Sequence, residues 1–110
     1  RAIQMKRENC KKQLWVYLKI LANDLGVLPQ AILAKDKLRI HVHSRWVIWN
    51  KLYEDGYSQN MIAEASGFKH NIVQVGMQRI SEIKQCPAYD PELAKVYRQF
   101  QNALKDEDII

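Results

Sequence analysis

The chain has 110 residues, of which 47% are hydrophobic and 26% charged, with only 4 Gly and 3 Pro. That is the size and composition of one ordinary globular domain, and it excludes two full domains, a disordered chain or a fibrous repeat. The 17 Lys and Arg exceed the 12 Asp and Glu, a net charge of +5, and the excess points to an anionic partner, nucleic acid being the commonest. The charge is uneven: residues 1–57 carry 11 basic and 5 acidic side chains, residues 58–85 carry 3 and 2, and residues 86–110 carry 3 and 5.

In chain order, Leu14, Leu18, Leu21 and Leu25 recur at helical spacing and predict a first helix that stops at Gly26. Pro29 suits the first turn of a short helix holding Ala31, Ile32 and Leu33. Residues 35–45 are polar and basic and are expected to be part loop. Val42, Trp46, Trp49 and Tyr53 then form the stripe of a third helix, closed by Gly56, with Trp46 and Trp49 expected in the core. Ser58 is the expected N-cap of a fourth helix that ends at Gly67. A fifth helix starts near Lys69 or His70 and runs towards Lys84, where Pro87 forbids simple continuation. Asp90-Pro91-Glu92 is a helix start, with a capping carboxylate, a preset φ and an acidic first turn. The last helix, about 90–105, carries Leu93, Tyr97, Phe100 and Leu104, and the tail from Asp106 to Ile110 is expected to fray. The expected fold is therefore all-α, a compact bundle of about six helices forming a single domain over 1–110.

Several chemistries lack their residues. Gly26, Gly56, Gly67 and Gly76 fit neither GxxxxGK[ST] nor GxGxxG, so no phosphate-cradling nucleotide loop is expected. Neither HExxH nor GxSxG occurs, and His70, beside a sharp turn, has no evident partner as a general base. Cys10 and Cys86 form no disulfide framework, and with His41, His43 and His70 they lack zinc-ligand spacing. The expectation is a protein that is not an enzyme and uses no cofactor and no metal. The longest uncharged apolar stretch is far below the roughly 20 residues that span a bilayer, so no membrane partner is expected. Arg1-Ala2-Ile3-Gln4 lacks the features of a signal peptide, and cytoplasm is the expected location. The missing initiator Met is what a piece of a longer protein would show.

The most informative stretch is 58–84, which reads as a helix-turn-helix. Ala63 is small where two helices cross, Gly67 follows four residues later at the turn, and Val73 six residues after that packs the second helix back on the first. Ile62, Met77 and Ile80 fill the same buried side. Lys69, His70, Asn71 and Gln74 are then left outward at the start of the second helix, which in this motif enters the major groove. Asn and Gln can pair with adenine edges, and Lys can reach guanine or phosphate. The plain alternative is an αα-hairpin within a bundle.

These residues resemble the C-terminal DNA-binding domain of the bacterial replication initiator DnaA, a Trp-repressor-like helical family, over roughly residues 12–85. Leu25 to Leu33 looks like that family's "GVSPEDLL" opening, Ser58 to Gly67 like "SLPEIGRAFG", His70-Asn71-Ile72-Val73 falls on "DHTTV", and Gln78-Arg79-Ile80 on the "RKI" ending. The resemblance implies double-stranded DNA as partner, with the signature in the major groove and a basic loop on phosphates and the adjacent minor groove. Lys37 falls at the minor-groove arginine, Arg45 matches an arginine opening the next helix, and Arg79 a basic residue later in the reading helix. Lys69 replaces the family's acidic residue, Asn71 its first threonine and Ile72 its second, so the base-reading set has changed. With Arg39, Lys69, Asn71 and Gln74 taken from charge and motif, the expected DNA-binding residues are Lys37, Arg39, Arg45, Lys69, His70, Asn71, Gln74 and Arg79. The family's nucleotide-binding domain is absent, and the expected nucleoid-associated protein is a stand-alone regulator of replication or transcription, a phage or mobile-element protein, or a detached domain. The alternative function is a helical protein–protein interaction module that keeps the scaffold but has lost DNA reading. The acidic last helix offers a face for a protein partner or a second copy.

Overall fold

A chain with helical periodicity throughout and few breakers has little choice of architecture. The computed structural model, which describes residues 1–108, consists of α1 (Ala2–Leu25), α2 (Pro29–Ile32), α3 (Arg39–Glu54), α4 (Gln59–Ser66), α5 (His70–Gln85), a 3-10 turn at Pro87–Tyr89 and α6 (Pro91–Asp108). No strand occurs among the described residues, and none of their helices is long and apolar enough to cross a membrane. The punctuation is local chemistry. Ser58 Oγ accepts the Met61 N–H at 3.2 Å and Asp90 Oδ1 accepts the Leu93 N–H at 3.2 Å, each satisfying an orphan donor of a helix start. α6 runs past its expected end near 105, so Asp106 and Glu107 are helical rather than frayed. The burial of Phe100 and Ala103 carries the last turns along with the core. Ile109 and Ile110 lie outside the described residues.

α1 lays Leu14, Leu18 and Leu21 against α2, α3, α4 and α6, as its stripe predicts. Tyr17 adds an edge-to-face contact with Phe100 at 5.6 Å and a hydrogen bond from its hydroxyl to Asp55 Oδ2, which ties α1 to the end of α3.

α3 departs from its predicted stripe. Trp49 is fully buried, but Trp46 and Val42 are only partly covered and Tyr53 is 52% exposed. The reason is position: α3 packs on α1, α2, α4, α5 and α6. A helix surrounded in this way buries several faces, and Val47, Ile48 and Leu52 share the core with Trp49. The basic stretch 35–45 is part loop, as expected: residues 35–38 lie outside any helix, and α3 then starts at Arg39 and turns His41, His43, Ser44 and Arg45 inward. Burying such groups is tolerable only when each is partnered. His41 Nδ1 lies 3.0 Å from Asp36 Oδ2, Ser44 Oγ donates to the Ile40 carbonyl at 2.6 Å, and Arg45 donates to three carbonyls described below.

Candidate nucleic-acid interface

The corner between α4 and α5 is built from backbone upward. Gly67 sits at φ 75°, where a Cβ would meet no neighbour but the left-handed backbone costs other residues roughly 1–2 kcal/mol. The N–H groups of Gly67 and Phe68 both return to the Ala63 carbonyl, at 2.9 and 3.1 Å, and close α4. Trp49 pins this corner to α3. Its Nε1–H donates to Ser66 Oγ at 2.9 Å, Ser66 donates on to the Ile62 carbonyl at 2.7 Å, and the indole meets the Phe68 ring at 5.3 Å.

α5 leaves this fixed corner with Val73, Gly76, Met77, Ile80 and Ile83 buried. Lys69, His70, Asn71 and Gln74 are exposed, as expected from the sequence. No acidic residue occupies the first turn of α5 and no side chain caps it, so its N-terminal amides and dipole favour an anion. Gly76 shows why this helix can lie so close to α3: a Cβ there would come 2.3 Å from Trp46 Cδ1.

The basic segment before α3 is held by groups that are themselves basic. Arg45 is 6% exposed. Its guanidinium donates to the carbonyls of Ile32 at 2.9 Å, Ala34 at 2.7 Å and Asp36 at 3.0 Å, and it stacks 4.9 Å from the Phe68 ring centroid. The expectation of an outward arginine on DNA is therefore corrected: only a fork of five N–H donors can satisfy several carbonyls at one bend, and the bend recruits it. Lys35 Nζ hydrogen-bonds the Gly67 carbonyl and lies 4.0 Å from the Phe68 ring, joining the basic segment to the α4–α5 corner. Asp36 accepts from the Leu38 N–H and faces His41, and the His41 contact, followed by the Leu38 bond and Arg45, holds its carboxyl below the usual range.

These ties bring two remote stretches together. A cleft of about 570 Å³ is lined by Lys35, Lys37 and Trp46 on one side and by Lys69, Asn71, Ile72 and Val75 on the other. A second, of about 430 Å³, continues along α5 and collects Lys37, Arg39 and Arg79 with His43, Trp46 and Tyr89, and with the carboxylates of Glu82 and Asp90. Lys37 and Trp46 border both. Gln74 lies on the opposite flank of α5, in a polar hollow with Tyr53, Gln59, Gln78 and Ser81. Of the eight sequence-predicted residues, seven are exposed and Arg45 alone is buried. Arg39 is paired with Glu92 and Arg79 with Glu82, both at 3.3 Å, while Lys37 and Lys69 form no ion pair among the described residues. Exposed pairs of this kind are worth about 0–1 kcal/mol, so a stronger anion can displace them.

His43 flanks the second cleft. It is buried, 3.8 Å from Asp90 Oδ2 and 5.6 Å from the Trp46 ring. Burial pulls its pKa below the ordinary value, with Asp90 and Glu92 acting the other way and Arg39 adding to the fall. Sequence reasoning missed the Lys35 tie, the His43–Asp90 pair and the Trp46–Gly76 fit. Gly76 was the available signal, since a glycine inside a helical pattern asks for a packing reason. Cys10 and Cys86 are free thiols, and burial, then Glu64, pushes Cys10 up to about 11. No known protein family, curated protein or solved structure matches the chain.

Proposed function

We propose that this chain is a non-enzymatic, double-stranded DNA-binding domain, a diverged DnaA-like helix-turn-helix in which α5 enters the major groove. The observation that carries the reading is the juxtaposition, in one cleft, of Lys69 and Asn71 at the outward start of α5 with Lys37 of the basic segment, tied together through Lys35 and Gly67. A helix N-terminus free of acidic residues, between cations and a base-pairing amide, combines the two kinds of contact DNA recognition needs: phosphate contacts that position and edge contacts that specify. Arg45 acts from inside, shaping the basic segment rather than touching DNA. Association with the nucleoid and a role in replication or transcription follow from this reading.

A second reading, a protein-interaction module, is favoured by one observation: Ile72 and Val75 leave an apolar patch on the outward side of α5. A gel shift with mixed-sequence duplex DNA separates the two. Retarded complexes that dissolve as salt rises support DNA binding. Absence of any complex at low salt, with the helical circular dichroism intact, overturns it in favour of a protein partner.

A further inference from the structure

We infer that α5 reads the 5-methyl group of thymine through Ile72 and Val75, beside the adenine-reading amide of Asn71. The inference rests on the duplex-binding reading above and names what that site selects: A·T pairs in a fixed register.

The two side chains are 43% and 47% exposed, although the neighbouring Val73, Gly76 and Met77 are buried. Single exposed apolar residues need no explanation, but these two line one cleft with Asn71 and Trp46. Besides the apolar Val42, Trp46 and Phe68, Lys35, Lys37 and Lys69 line the cleft, with one carboxylate, Asp36, which is engaged by His41 and the Leu38 N–H. Lysine is depleted in protein–protein interfaces, so three lysines around an apolar patch suit a polyanion that has an apolar feature of its own. In the major groove that feature is the thymine methyl, the one apolar group the base edges present. Both residues are β-branched and hold stiff χ1 rotamers, so the patch is preformed.

The spacing fits duplex geometry. Asn71 and Val75 are four apart on one helix face, with Cβ atoms about 5–6 Å from each other. Base pairs rise about 3.4 Å, so the two side chains would meet pairs one or two steps apart. An adenine read by Asn71 would then stand beside a thymine read by Val75, with Ile72 reaching a methyl on the side of Lys69.

The test begins with duplexes selected by the parent protein from a randomised library. Each thymine is then replaced in turn by deoxyuridine, which removes only the methyl group and keeps the pairing. Loss of one buried methyl corresponds to about a fourfold fall in affinity, expected at one or two positions and absent at the others. Ile72→Ala and Val75→Ala should each lose the sensitivity at one of those positions while keeping the helical signal, since alanine is the better helix former. The uracil series on the parent needs no variant, so it decides the matter even if a variant folds poorly. Equal binding of every uracil duplex, or alanine variants as uracil-sensitive as the parent, overturns the inference and leaves duplex binding standing. Selection of no duplex at all overturns the duplex-binding reading itself, and this inference with it.

Discussion

Gly76→Ala sets two forces against each other inside α5. In the interior of an ordinary helix this change stabilises by about 1 kcal/mol, through propensity and unfolded-state entropy. At position 76 the added Cβ would come 2.3 Å from Trp46 Cδ1, 2.9 Å from Nε1 and 3.0 Å from Cγ. Those atoms lie at the root of a rigid indole and not at the end of a flexible chain, so either α5 or the whole ring must move. Overpacking of this kind costs about 1–3 kcal/mol, and the net expectation is a loss of about 0–2 kcal/mol. For a domain of this size the upper figure lowers the melting temperature by roughly 8 °C or more. Thermal melts followed by circular dichroism and by tryptophan fluorescence read it, and the fluorescence should shift because Trp46 is the residue displaced. In a Trp46→Ala background, which removes all three of these atoms, the clash is relieved, and the same glycine change should become neutral or stabilising. A rise in melting temperature for Gly76→Ala in the parent would refute the close α3–α5 contact and with it the shape of both clefts.

The other predictions follow from the same contacts. Arg45→Lys keeps a charge but not the fork that serves three carbonyls, so stability should fall by about 1–3 kcal/mol in denaturant melts, while the salt dependence of DNA binding stays unchanged. His43 is held neutral by burial: its folded pKa lies below the roughly 6.5 of an unfolded histidine. The unfolded chain therefore takes up more protons between those values, and melting temperature should drop as pH falls below about 6.5, with His43→Gln flattening that slope. Val73→Ala should cost about 1–2 kcal/mol of stability by opening a core gap. Asn71→Ala should leave stability alone and relax sequence preference, an adenine pairing being worth about 1–3 kcal/mol of discrimination in competition binding.

The helices were legible because their signals are local. Ser58, Asp90 and Gly67 act on backbone groups a few residues away, so their caps and turn could be read without knowing the fold. The side of α5 that faces outward was legible too, because Val73, Met77 and Ile80 fall on one side of the helix, which packs chiefly on α3 and α4. The surroundings of α3 were not. Its stripe of Val42, Trp46, Trp49 and Tyr53 presumes one buried side, whereas five helices surround it and charged or polar residues complete its burial. Arg45 is the sharpest case: in a basic run it reads as a phosphate contact, and only the bend of carbonyls at 32–36, which appears once α2 and α3 pack, turns it inward. The cleft pairing Lys37 with Arg79 joins residues 42 positions apart, a distance no periodicity spans.

Lys37, Arg39 and Arg79 line one cleft, and their binding to phosphates would release about three counterions, for a log–log slope of affinity against salt near −2.7. The most direct measurement of the account is that slope, by fluorescence titration of a mixed-sequence duplex, for the parent and for Lys37→Ala. The predicted result is a parent slope near −2.7 that flattens to about −1.8 in the variant, at unchanged melting temperature. A parent slope indistinguishable from zero, or a variant as salt-sensitive as the parent, would contradict a DNA interface built on this cleft.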